Sequence, residues 1–126
     1  MITYKELLHG NMLSDVPIAD QHNLEELLKR INVVRRIWGA PMIVTSGYRT
    51  WNQHAKIYSN SIPPKGSQHL IGCAVDIADP KGEIKAWLKK IPSVLEEAEL
   101  YCEEGTEGWV HFQMNPPKSK KRWFNP

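Results

Sequence analysis

The chain of 126 residues is poor in cysteine and in net charge, and it has no apolar run of the roughly 18 residues that a membrane-spanning helix requires. The two cysteines, Cys73 and Cys102, are too few for a disulfide framework. Neither has a second cysteine at metal-site spacing, so both are expected as buried, reduced thiols packing as small hydrophobes. With 16 Lys and Arg against 14 Asp and Glu, the formal charge is +2, and the concentrated basic surface of a nucleic-acid binder is missing; no nucleic-acid partner is expected. The opening Met1-Ile2-Thr3-Tyr4-Lys5-Glu6 lacks the basic-then-apolar layout of a secretory signal, which implies synthesis in a cytoplasm without a signal peptide. Repeats and low-complexity tracts are absent too.

What is present reads as one folded domain, expected to be a monomer. Hydrophobic residues make up 41% and charged residues 24%, ordinary globular usage that excludes wholesale disorder. Residues 1–22 read as an irregular N-terminal arm with a helical turn near Tyr4–Leu8. Asn23 with Glu26 makes a capping-box pattern at the start of a helix in which Leu24, Leu27, Leu28, Ile31 and Val34 recur at helical spacing until Gly39. Residues 41–46 read as a buried strand, and Thr50 with Gln53 caps a short helix to about Tyr58. A Ser/Pro/Gly loop runs over residues 59–68, followed by a strand over 73–78. Asp79-Pro80 reads as an N-cap and first-turn proline launching a helix to about Lys90, with another short helix over 92–98. Leu100–Glu103 and Trp109–Gln113 form a hairpin across the Gly105 turn. That order predicts an α+β fold, with helices packed on a small, largely antiparallel sheet. Residues 116–126 are a basic tail ending in Trp123 and Phe124, either touching an anionic wall or membrane surface or solvated with its aromatics folded back.

Of the five histidines, His69 and His111 have neighbours that suggest chemistry. His111 shares a strand face with Trp109 and Gln113, while Val110 and Phe112 face the other way; Asp76 alternates with Val75 and Ile77 in the same manner. Two imidazoles and a carboxylate converging on one sheet face would make a zinc (Zn2+) site with a vacant position for water. Three such ligands leave the metal Lewis-acidic, and its water falls to a pKa of about 7. A strand histidine with a backbone partner and a turn aspartate are the bland alternatives. His9 and His22 read as surface residues and His54 as a residue that could line a cleft.

Three motifs in order turn this pattern into a family resemblance. Ser67-Gln-His69-Leu-Ile-Gly72-Cys-Ala74-Val-Asp76 resembles the S-x-H-x-x-G-x-A-x-D signature of the zinc D-Ala-D-Ala carboxypeptidase and L-alanyl-D-glutamate endopeptidase family. Thr45-Ser46-Gly47-Tyr48-Arg49-Thr50 resembles its S-G-Y/F-R segment, and Gly108-Trp109-Val110-His111 its W-x-H ending. The resemblance implies a hedgehog/DD-peptidase fold and a zinc metallopeptidase that hydrolyses an amide in the stem peptides of bacterial peptidoglycan. It implies His69, Asp76 and His111 as metal ligands and Arg49 as the residue that holds substrate and the developing oxyanion. It also points to the compact branch often found in phage lysins, acting at the bacterial cell wall.

The chain departs from that family where many members have E-x-x-H, since Gly108 stands three residues before His111. By alternation Glu107 would share a face with His111, which makes it the first candidate for the general base, with Glu104 and Glu103 in reserve. A non-catalytic zinc-binding module that docks on the wall, or a virion component of the same fold, is the alternative function.

Overall fold

A computed structural model describes residues 1–126. Helix α1 (Tyr4–Leu8) opens the chain, closed at its start by reciprocal bonds between Thr3 and Glu6. The N-terminal segment is not an irregular arm: Ile2, Leu7, Leu8 and Val16 all enter the core. The Ile2 backbone is also paired in both directions with the Asn32 side chain, at 2.8 and 2.9 Å.

Helix α2 (Ile18–Trp38) starts six residues earlier than an Asn23 cap indicates, its N-cap being Pro17. Pro17, with φ −54°, pre-sets the entry, and its carbonyl accepts from the Gln21 N–H at 2.9 Å. Asn23 is thereby inside the helix, and its side chain is diverted to the Ile71 carbonyl, 2.8 Å away. Leu24, Leu27, Ile31 and Val34 form the stripe that α2 buries.

Strand β1 (Val44–Ser46) leads through Arg49 into α3 (Trp51–Ile57), whose Thr50/Gln53 capping box is present. Strand β2 (Ala74–Asp79) follows, then α4 (Glu83–Lys90) and α5 (Ser93–Ala98). Asp79 ends β2 rather than starting α4, because the chain turns through Gly82 first; its carboxylate still receives the Ile84 and Lys85 N–H groups at 2.9 and 3.0 Å. Strands β3 (Tyr101–Glu103) and β4 (Gly108–Gln113) make the hairpin. The tail contributes a further strand, β5 (Trp123–Phe124), pairing parallel to β3.

The sheet order is β1-β2-β4-β3-β5, antiparallel except for that last pair. Its core face carries Val75, Ile77, Cys102, Val110 and Phe112, all buried against the helices. Both cysteines are free and buried, and burial pushes both thiols up from the ordinary range. The opposite face is open. There Ala74 and Ala78 flank Asp76 on β2, and these small side chains leave space over the carboxylate.

Candidate metal centre

The antiparallel register sets Asp76 directly opposite His111, and Ser46 opposite Asp76. Cys102 pairs with Phe112, so one step further along the ladder Glu103 neighbours His111 from the other side. One row across the open face therefore reads Ser46, Asp76, His111, Glu103. The bulge between Val44 and Ser46 brings the β1 end into this row.

His69 reaches the row from a 3-10 turn, Gln68–Ile71, that ends at Gly72. Gly72 has φ +78°, and a Cβ there would meet the Asp20 carbonyl at 2.8 Å, so glycine suits this turn on both counts. The His69 carbonyl accepts from the Arg49 N–H at 3.1 Å, which ties the turn to the segment after β1.

His69, Asp76 and His111 are all buried, with one donor atom of each within 4.8 Å of the others. Asp76 Oδ1 lies 2.9 Å from His111 Nδ1 and 3.2 Å from His69 Nε2. The far side of each ring is already engaged. His69 Nδ1 faces the Gly47 carbonyl at 2.8 Å, and His111 Nε2 faces Gln113 Oε1 at 2.9 Å. Gln113 is held in that orientation because its Nε2 donates to the Asn115 carbonyl at 2.8 Å. Each outer nitrogen thus carries the proton, and the inner lone pairs both point at the carboxylate. Three electron-pair donors converging in a buried place are satisfied by a cation, and imidazole with carboxylate suits zinc. The residues fit the metal.

Burial raises the Asp76 carboxyl, but without metal the two imidazoles donate to it when protonated, and this outweighs burial and holds the group well below the usual carboxylate range. Burial dominates at His69 and lowers its pKa, with Arg49 and His111 adding to the effect. At His111 burial also lowers, yet Asp76, Gln113 and Glu103 together leave it raised.

Arg49 is fixed from three sides. Nε donates to Ser46 Oγ at 3.0 Å, Nη1 to His54 Nδ1 at 3.3 Å, and Nη2 lies 3.6 Å from Asp76 Oδ2. His54 is fully buried, and its Nε2 donates to the Pro64 carbonyl at 2.8 Å. It therefore braces Arg49 from behind.

His69, Asp76, His111 and Arg49 open into a cleft of about 1010 Å³, lined also by Glu103 and Trp109; His54, behind Arg49, does not line it. Glu107 is elsewhere: it is exposed on the turn before β4, outside that lining. Gly108, at φ +91°, breaks the alternation that would have put Glu107 beside His111. Glu104 also points away, to Lys89 at 2.8 Å. Glu103 is the acidic reserve that the strand register brings into the cleft. Gln113 was legible only as a face-sharing neighbour of His111, two residues on, and Ser46 only as part of the Ser-Gly-Tyr-Arg segment.

The profile of the peptidase M15 family matches residues 1–113. The chain belongs to the peptidase M15 family. Its fold is similar to the crystal structure of Serratia marcescens L-Ala D-Glu endopeptidase ChiX, with a TM-score of 0.55 and 20% identity over 78% of this chain and 87% of that one. No curated protein sequence matches the chain. The α+β architecture and the peptidase class stand on these findings, and the hedgehog/DD-peptidase fold with them.

Proposed function

We propose that this M15 peptidase is zinc-dependent and hydrolyses an amide in the stem peptides of bacterial peptidoglycan. The observation that supports it most is the convergence of His69 Nε2, Asp76 Oδ1 and His111 Nδ1 inside an open cleft, with every outer ring nitrogen already bonded. The printed activity of the structural neighbour, an L-Ala D-Glu endopeptidase, supports the substrate class. Zinc, when held by these residues, supplies Lewis acidity and lowers the pKa of water.

The chain's own groups do the rest. Glu103, in the cleft beside His111, takes the proton from the attacking water and returns it to the departing amine. The braced Arg49 guanidinium donates to the oxygen on which negative charge develops, without having to reorganise as it does so. Trp109, 40% exposed on the same face, walls the cleft and limits access of bulk water. Action at the cell wall in a phage or prophage lysin belongs to the same proposal; co-expression with a membrane-permeabilising protein is then expected to lyse the bacterium.

The decisive experiment is release of new amino groups from purified peptidoglycan by zinc-loaded protein. Glu103→Gln is expected to retain zinc and lose about 100- to 10,000-fold in rate, the usual contribution of a general base. Glu107→Gln is expected to keep full activity. Zinc retention with no release under any condition would establish the non-catalytic wall-docking module instead.

A further inference from the structure

The family profile ends at residue 113, yet the next thirteen residues form much of the cleft. This segment is anchored at both ends. At its start the Met114 N–H donates to the Cys73 carbonyl at 2.9 Å, and Asn115 Nδ2 donates to Gln68 Oε1 at 2.6 Å. At its end β5 is hydrogen-bonded to β3 through Cys102 N–H to the Arg122 carbonyl and Glu104 N–H to the Phe124 carbonyl, at 2.6 and 2.7 Å. Phe124 sets its ring edge-on to His111, centroids 6.3 Å apart. Between these anchors, Pro116 and Pro117 stiffen a strap along the rim.

Lys118 and Lys121 lie on the cleft side of that strap. Neither ammonium is paired with a carboxylate of the chain. Of the other cations nearby, Lys89 holds Glu104, Arg122 lies over the Tyr101 ring with Nη1 on the Leu100 carbonyl, and Lys120 stands outside the cleft lining. Inside the cleft Asp76 is committed to the two imidazoles and Arg49, while Glu103 carries no ion pair. The rim therefore offers two unpaired positive charges to whatever fills the cleft.

We propose that the segment Asn115–Pro126 is a specificity wall in which Lys118 and Lys121 receive a carboxylate of the substrate, so that the enzyme selects an acidic peptide over its amidated counterpart. The proposal rests on the peptidase reading of the site. A peptide lying along the open face with its scissile amide near His111 passes the strap within a few residues, and a free carboxylate at that distance gains two ion pairs. An amide at the same place gains none.

The test uses full-length zinc-loaded protein and synthetic stem tetrapeptides in three forms: free acid, amide at the glutamate α-carboxyl, and amide at the C-terminus. Binding is measured by calorimetry on Glu103→Gln, which makes the result independent of turnover, and KM is measured on the otherwise native chain. The free acid is expected to bind about five- to tenfold better than the amide that removes the recognised carboxylate, the range for two partly exposed ion pairs. In the Lys118→Gln/Lys121→Gln double variant that preference is expected to collapse to within about twofold, with the loss in KM. Lys120→Gln, outside the cleft lining, is expected to keep it. The two amides identify which carboxylate is read. A preference that survives in the double variant, or equal binding of all three peptides, overturns the wall. Lysine-dependent binding without cleavage leaves the wall standing and removes the peptidase reading; cleavage without preference does the reverse.

Discussion

Gln113 Oε1 lies 2.9 Å from His111 Nε2, on the side of the ring away from Asp76. Two residues apart on one strand, they share a face, and the amide fixes which imidazole nitrogen is left to bind metal. Replacing Gln113 with Leu is therefore expected to weaken zinc binding about 10- to 100-fold while leaving the fold intact. Competition against a chromophoric chelator measures this, with circular dichroism as the folding control.

Metal binding and stability are linked through the same donors. Zinc at about a thousand times its dissociation constant is expected to stabilise the protein by about 4 kcal/mol. Melting with and without a chelator reads this directly. In His69→Ala or His111→Ala the zinc-dependent rise in Tm is expected to vanish.

Gly47 combines two constraints. Its carbonyl orients His69 at 2.8 Å, and a Cβ added to it would run into the Leu7 carbonyl at the end of α1. Backbone cannot move aside as a side-chain tip can, so Gly47→Ala is expected to cost about 1–3 kcal/mol of stability. Zinc affinity is expected to fall with it, because any shift of this carbonyl turns the His69 ring. Denaturant titration of the metal-free protein separates the two effects.

Tyr48 is buried, and its hydroxyl donates to Asp20 Oδ2 at 3.1 Å. Burial first, and the Asp20 carboxylate second, push its pKa up to about 12. The fold thus holds a proton that the unfolded chain releases near pH 10. This contribution to stability is fully present below about pH 10 and is lost as pH rises towards 12. Tyr48→Phe is expected to flatten that alkaline decline, measured as the difference in unfolding free energy between the two proteins from pH 8 to 12. Parallel profiles would rule the linkage out.

Alternation made much of the site legible before any coordinates. Val75 and Ile77, like Val110 and Phe112, mark the core face, and the residues between them fall on the open one. The family motifs pointed to the same residues. What alternation could not show was where it stops: the positive φ of Gly108 is a property of one residue, and it takes Glu107 out of the row that Glu103 joins. The helix start was misplaced for a comparable reason. Asn23 and Glu26 have the chemistry of a capping box, but Pro17 and a tertiary partner for Asn23 decide the boundary. The return of the tail aromatics was one of the two readings of residues 116–126, but their pairing as a strand was not legible, because two residues paired only with a distant β3 leave no periodic signal.

The enclosure of Cys73 and Cys102 has a practical corollary. Thiols that stay protonated and out of contact with solvent are silent to maleimides in the native state. A Lys120→Cys substitution would then be the sole reactive handle, and a fluorophore placed on it would report how the rim moves as ligand enters, with no natural residue removed to clear the background.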